Sequence, residues 1–320
     1  MEQRTEMNRK QKIKRLVAVA RLYYEEDRTQ NEIAQMLDIS RPMVSRLLKE
    51  AKKMGIVTIE ISEPEEDNME ERTSMLELLH QKYGIRRAVL IKSGVSNQIT
   101  DRDIAQEGIY CLERFADEGK TRFGIGWGHM IGEIANQTEK SSRPLHLGSS
   151  LCPLIGNGGA GLKNYHSNEL VRSMSEHSQA EPVFLYTPAY MTNEQDLRLI
   201  KNLKNYQEVY QAWQHLEVAL VNIGNFPSSQ DFASRARYGN LLEEEKAAGR
   251  ILNYFVGSDG HVIRSESDYA VQIPLTLLKK TEHVVGICSA SITPGALAAA
   301  LKSGYIHELI APENIVKKIL

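Results

Sequence analysis

From Thr29 to Gly55 the chain spells out two short helices, each with a start signal and the second with a stop, separated by too few residues for anything but a tight turn. Thr29-Gln30-Asn31-Glu32 is a capping box, in which a threonine hydroxyl and a glutamate three residues on satisfy each other's free backbone N–H groups. The helix it opens has Ile33, Ala34 and Leu37 on its inner side. Asp38-Ile39 is the connection. Ser40 is then a good N-cap residue, and Pro42 falls in the first turn of a second helix, where a missing N–H costs nothing. Gly55 supplies the stop. Between Ser40 and Gly55, Val44, Leu47, Leu48 and Ala51 recur at i, i+3, i+4, i+7 and make one narrow apolar stripe. The opposite face carries Arg41, Ser45, Arg46, Lys49, Lys52 and Lys53, with Glu50 the one acid.

A basic amphipathic helix alone is usually a solvated surface helix. Here its context changes that reading. Two short helices joined by such a turn are the helix-turn-helix unit. Upstream, Ile13, Leu16, Val17, Ala20 and Tyr24 keep helical spacing and give the pair a third helix to pack on. Downstream, Val57-Thr58-Ile59-Glu60-Ile61 alternates like a strand and predicts a small wing. Cations along the second helix and hydrogen-bonding side chains near its start suit the major groove of DNA. Arg41, Ser45 and Arg46 are the candidates for base edges, and Lys49, Lys52 and Lys53 for phosphates. Thr29, Gln30, Ser40 and Pro42, at the two helix starts, complete the candidate DNA-binding set.

Charge supports the division. The net of −2 over 320 residues hides 13 Lys+Arg against 9 Asp+Glu in residues 1–62, so only that part suits a polyanion. Ser62-Glu63-Pro64-Glu65-Glu66-Asp67-Asn68 is an acidic, proline-containing joint. We therefore expect a DNA-binding domain over 1–62 and an α/β effector-binding and oligomerisation domain over 63–320. Cys111, Cys152 and Cys288 form neither a disulfide framework nor a zinc pattern, which fits a reduced cytoplasm. The charged stretch from Met1 to Lys14 does not read as a signal peptide, and no apolar run approaches the roughly 20 residues of a membrane span.

A helix is expected from about Met69 to Tyr83, with Met75, Leu76, Leu79 and Tyr83 on one side. From Arg87 onward short β-rich runs alternate with helical ones. Strands are predicted at Ala88–Ile91, Arg122–Ile125, Leu151–Ile155, Val183–Tyr186, Val218–Ile223, Val284–Cys288 and Glu308–Ile310. Helices are predicted near Asp101–Ala116, His129–Gln137, Asn168–Ser178, Asn193–Leu203, Tyr206–His215 and Pro294–Lys302. Such alternation means an open, Rossmann-like, mostly parallel sheet covered on both faces, with ligands bound at the carboxyl ends of the strands.

Three loops fall at such ends. Gly124-Ile125-Gly126-Trp127-Gly128-His129 runs from strand into helix, where glycines and free N–H groups admit an anion, although it is not a dinucleotide fingerprint. Pro153 to Lys163 is glycine-rich, with Gly158 and Gly159, and leads to Tyr165-His166-Ser167-Asn168. A polyol would need such a cluster of donors and acceptors, and a surface loop with an ordinary helix cap would look the same. In Ser289-Ala290-Ser291-Ile292-Thr293-Pro294-Gly295 the threonine caps and the proline takes the first helical position, as at a phosphate site or at any capped junction. Nothing nominates a catalytic pair or a metal: the nine histidines show no H-E-x-x-H spacing, no Gly-x-Ser-x-Gly elbow appears, and Glu243-Glu244-Glu245 reads as a solvated helical face.

The run Leu22-Tyr23-Tyr24, Thr29 to Ala34, Ile39 to Lys49 and Gly55 to Ile59 resembles the SorC family of sugar-responsive bacterial transcriptional regulators. The resemblance continues through Gly124 to Gly128, Pro153 to Gly156, Tyr165 to Asn168, Val218 to Gly224 and Asp259-Gly260. It implies an effector domain similar to sugar-phosphate isomerase and glucosamine-phosphate deaminase folds, a phosphorylated sugar as effector with no cofactor, and a tetramer on operator DNA. The candidate effector residues are then Gly124, Gly126, Trp127, Gly128, His129, Gly158, Gly159, Tyr165, His166, Asn168, Gly224, Arg250, Asn253, Ser289, Ser291 and Thr293. Two places depart from the family. Gly249-Arg250-Ile251 stands where Gly-Asp-Ile is common, and Ser289 to Thr293 replaces a glycine-rich stretch with a lysine. A sugar-phosphate enzyme with a helical appendage, or an adaptor whose first 62 residues touch another protein, are the rival expectations.

Overall fold

The computed structural model describes residues 2–57, 69–141, 145–158, 163–228 and 234–320. The chain divides into two compact units, residues 1–67 and, apart from 141–143, residues 68–320.

Among its described residues the first unit forms three helices, α1 (Glu2–Tyr24), α2 (Gln30–Met36) and α3 (Arg41–Lys53). All four residues of the apolar stripe on α3 are buried, together with Leu16, Val19 and Ala20 of α1 and Ile33 of α2. The capping box forms, with the Thr29 hydroxyl accepting from the Glu32 N–H and the Glu32 carboxylate accepting from the Thr29 N–H. At the far end of α3, Gly55 takes φ +69°, its N–H reaches the Lys52 carbonyl and the Ile56 N–H reaches that of Ala51, a Schellman closure. One expectation is met through a different contact and one is corrected. Ser40 is the N-cap of α3, but its hydroxyl makes no capping bond and its carbonyl takes the first helical N–H groups instead. Tyr24 is exposed, because Tyr23 packs against the core and Tyr24 stands edge-on to it with the Lys52 ammonium 5.7 Å from its ring. Of the expected wing only Val57 lies within the described residues, and the acidic joint lies outside them.

The second unit runs α4 (Met69–Tyr83), β1 (Arg87–Ile91), α5 (Asn97–Asp117), β2 (Arg122–Ile125), α6 (His129–Lys140), β3 (Ser150–Pro153), α7 (Ser167–Ser178) and β4 (Glu181–Pro182). It continues with α8 (Glu194–Lys201), α9 (Lys204–Gln214), β5 (Val218–Asn225), α10 (Ser234–Tyr238), α11 (Leu241–Glu244), β6 (Ala247–Ile251), β7 (Tyr254–Gly257) and α12 (Leu275–Leu278). It closes with β8 (His283–Ile287), α13 (Pro294–Lys302), β9 (Glu308–Pro312) and α14 (Glu313–Val316). Seven strands pair in parallel in the order β1-β9-β8-β5-β2-β3-β4, and β6 and β7 extend β5 as an antiparallel hairpin.

Alternation along the strands divides the core. Val218 and Leu220 of β5, with Val285, Ile287 and Ile310, face α5, α6 and α7. Ala219, Val221 and Ile223, with Val284 and Leu309, face α4, α9, α13 and α14. Strands buried on both faces are what a parallel sheet demands, and the chain order places its switch point between β2 and β5. Leu76 on α4 is exposed, whereas Met75, Leu79 and Tyr83 are buried as expected. The strand expected over 183–186 shrinks to Glu181–Pro182 and shifts earlier, and the segment after it is tied instead by side chains. Asn168 both accepts from the Leu185 N–H and donates to its carbonyl. The three cysteines are free and buried, and burial pushes the Cys152 thiol up to about 12.

Candidate functional site

On the first unit, Arg41, Pro42, Arg46, Lys49, Lys52 and Lys53 are exposed and Ser45 is half-buried, so the charged side of α3 faces away from its apolar seam. Thr29 and Ser40 are exposed at the starts of α2 and α3, and Gln30 is half-buried beside them. The single acid of this face is neutralised, since Lys12 of α1 forms an ion pair with Glu50. Arg46 leans on the Met43 sulfur at 3.0 Å, a weak acceptor that leaves its other donors available. Lys52, over Tyr24, is held in place. The result is a helix that can present a fork-shaped donor near its start and point charges along its length.

On the second unit the carboxyl ends of β2, β5 and β8 meet at the switch point. Gly126 donates to the Leu220 carbonyl at 2.8 Å and Gly128 to that of Asn164 at 2.7 Å. Gly128 has φ +105°, a conformation that favours glycine, and it packs against the Asn222 amide. His129 then opens α6. In register across the antiparallel pair stand Gly224 and Arg250, and a Cβ on Gly224 would lie 2.9 Å from the Arg250 Nε. Arg250 is 6% exposed. Asn225 holds the loop after β8, donating to the Ser291 carbonyl at 3.0 Å and accepting from the Thr293 N–H at 2.8 Å. Thr293 caps α13 through the Ala296 N–H, and the Ser289 and Ser291 hydroxyls lie 2.8 Å apart. Gly126, Gly128, His129, Gly224, Arg250, Ser289, Ser291 and Thr293 therefore gather around these three strand ends.

Beside the β3 end lies a concavity of about 760 Å³, lined by Gly158, His166 and Asn168 with Asn157, Arg172 and the aromatic side chains of Phe184, Tyr186 and Tyr190. Trp127 and Tyr165 meet edge to face at 5.3 Å, and a Cβ on Gly158 would lie 3.3 Å from the Trp127 ring. These contacts tie the loop after β2 to the loop after β3. Trp127 itself is 2% exposed and belongs to the core. Gly124 sits inside β2, where a Cβ would meet the Leu154 side chain at 2.5 Å, so close packing also accounts for a glycine there. Asn168 spends its side chain on Leu185. Gly159 lies outside the described residues.

Asn253, a candidate from the sequence, opens a group whose other members the sequence did not suggest. It lies in the turn between β6 and β7, fully buried, its N–H bonded to the Gln272 side chain and its carbonyl accepting from Arg237. Neither polar atom of the Asn253 amide has a hydrogen-bond partner among the described residues, nor do Gln272 Nε2 and Arg237 Nη1. Arg237 is otherwise gripped by Asp268. Leu252, next in the same turn, stands over Gly126, whose Cβ would be 2.7 Å from it, so this polar group borders the β2 end. Asn222, Arg237 and Gln272 were thus missed. Only Asn222 lay in a run with a signal, because Arg237 and Gln272 reach the site from segments with no loop or glycine pattern.

A three-helix unit with an outward cationic helix, joined to a doubly covered parallel sheet whose switch point is lined by glycines and polar groups, defines a DNA-binding transcriptional regulator with a ligand domain. The family model Sugar-bind, that of a sugar-binding domain, matches residues 67–320, and that of Sigma-70, region 4 matches residues 18–53. The sorbitol operon regulator of Klebsiella pneumoniae is 28% identical over 317 residues, covering 96% of this chain and 98% of that one. The deoxyribonucleoside regulator of Bacillus subtilis is 26% identical over 312 residues, covering 95% and 96%. The crystal structure of the full-length sorbitol operon regulator SorC from Klebsiella pneumoniae matches with a TM-score of 0.70 at 26% identity, over 96% of this chain and 98% of that one. The chain belongs to the SorC family of sugar-binding transcriptional regulators. These relatives are regulators and not enzymes.

Proposed function

We propose that this chain regulates a carbohydrate-utilisation operon, and that a phosphorylated sugar or polyol bound in its α/β unit controls how it holds operator DNA. It does so in the cytoplasm, without a cofactor, as a homo-oligomer of four subunits. The observation that carries the reading is the buried polar group at the strand ends. An unpaired buried polar atom costs about 1–3 kcal/mol. The Asn253 amide, Gln272 Nε2 and Arg237 Nη1 all lie there without a protein partner among the described residues. A ligand bearing several hydroxyls, with its anion beside the glycines after β2, is a chemistry that would satisfy them.

The names of the relatives, a sorbitol operon regulator and a deoxyribonucleoside regulator, support a sugar-type effector. Exposed Leu76 and Leu78 on α4 and Leu199 on α8 offer apolar surface for subunit contacts. No described helix is long and apolar enough to cross a membrane. Thermal shift of the full chain against a panel of sugar phosphates tests the reading, because a ligand that prefers the native state raises apparent stability by mass action. One or more sugar phosphates should raise the melting temperature while the free sugars do not. A panel that leaves it unmoved contradicts the reading.

A further inference from the structure

One buried carboxylate serves both the loop after β2 and the loop after β8. Asp101, in the first turns of α5 and 9% exposed, places Oδ2 2.8 Å from His129 Nε2 and accepts the Ala290 N–H on Oδ1 at 2.6 Å. The His129 side chain is 56% exposed, and its Nδ1 has no hydrogen-bond partner among the described residues. From Gly124 to His129 and from Gly286 to Thr293 the sequence contains no lysine or arginine, so His129 is the one side chain of these two loops that can carry positive charge. We propose that His129 is a recognition residue of the effector site, its imidazolium holding the anionic group of the effector through Nδ1–H, with Asp101 as the positioning residue that orients the ring and fixes its proton. This rests on the effector reading above and adds a consequence to it: effector binding is linked to protonation.

The electrostatics agree. The hydrogen bond to Asp101 raises the imidazole pKa above its usual value against the opposing effect of burial, and the charges of Asp101 on α5 and Glu133 on α6 add to it. At this point the segment after β8 contributes the Ala290 N–H, and the turn at residues 163–165 contributes the Asn164 carbonyl to Gly128. The positive end of α6 works against a charged imidazole and in favour of an anion. A bound anion cancels that opposition, so proton and anion bind together.

Inorganic sulfate is the probe, because it stays a dianion across the range where phosphate would itself titrate. The His129 imidazole of the full chain is followed by NMR from pH 6 to 9, its signal assigned by its absence in H129Q. Sulfate should raise the pKa of His129, and sulfate affinity should fall by up to tenfold per pH unit above the pKa of the free imidazole. D101N keeps an acceptor for Ala290, so the fold persists. It should lower the His129 pKa and move the loss of affinity to lower pH, with affinity at the acid end little changed. H129Q should abolish the pH slope. Sulfate affinity that is flat with pH, a His129 signal that sulfate does not move, or a D101N profile identical to the parent overturns the proposal. Should a sugar phosphate stabilise the chain with a pH-independent affinity unaffected by H129Q, His129 loses this role and the effector reading stands. If no sugar phosphate stabilises the chain at any pH, that reading is what falls.

Discussion

At the scale of single residues, the DNA-facing chemistry rests on a few forks and point charges. Arg46 sits in the first half of α3, exposed and, among the described residues, held by the Met43 sulfur alone, where a bidentate donor can meet a base edge. R46A should weaken binding to the operator by about 1–3 kcal/mol and to a scrambled duplex much less. Fluorescence anisotropy on both duplexes measures this, and equal losses would move Arg46 to the phosphate contacts. What could be read here from sequence follows from spacing. The cations of α3 fall on one face because helical periodicity is local, so their positions needed no tertiary information. The Asp101–His129 pair spans 28 positions and joins α5 to α6. Arg237 and Gln272 likewise converge on Asn253 only through the fold. No local pattern encodes such meetings.

Among the elements, the ends of α3 and the roots of the central strands make distinct predictions. Gly55 closes α3 at φ +69°, a conformation that costs an L-residue about 1 kcal/mol or more. G55A should therefore speed hydrogen exchange of the α3 amides about fivefold. Unchanged exchange would show that the Schellman closure contributes nothing to that helix. Glu217, before β5, accepts the N–H groups of Thr121 and Arg122 at 3.0 Å each and pairs with the Arg122 side chain. Burial alone would raise its pKa, but these bonds and the Arg122 charge outweigh it and hold the carboxyl below the usual range. A group depressed in this way stabilises the fold above its unfolded pKa and loses that contribution as pH falls through the folded one. E217Q should therefore be less stable than the parent at neutral pH, and the gap in denaturation midpoints should close in acid. A gap independent of pH would contradict the assignment.

Six of the seven parallel strands of the second unit were legible near their true places, because each is a short apolar run between helical segments. The β6–β7 hairpin was not. Its turn is made by Leu252 at φ +53° and Asn253, with neither Asn-Gly nor Asp-Gly to announce it. β4 is two residues long, and the asparagine side chains that replace its ladder leave no alternation to detect.

For the whole molecule, function requires that two units answer one another. Residues 1–62 carry only about four net positive charges, so operator affinity requires several phosphate contacts per subunit or a second subunit, and it should fall steeply with added salt. An effector can alter that affinity only to the extent that it binds the DNA-competent and DNA-incompetent arrangements differently. The coupling is reciprocal: operator DNA must change effector affinity by the same factor. The most direct measurement is anisotropy of labelled operator titrated with the full chain, at fixed salt, with and without a saturating sugar phosphate chosen by thermal shift. The midpoints should differ by about fivefold or more, the lower bound of an ordinary allosteric coupling. Superimposable curves with the effector bound would contradict the coupling.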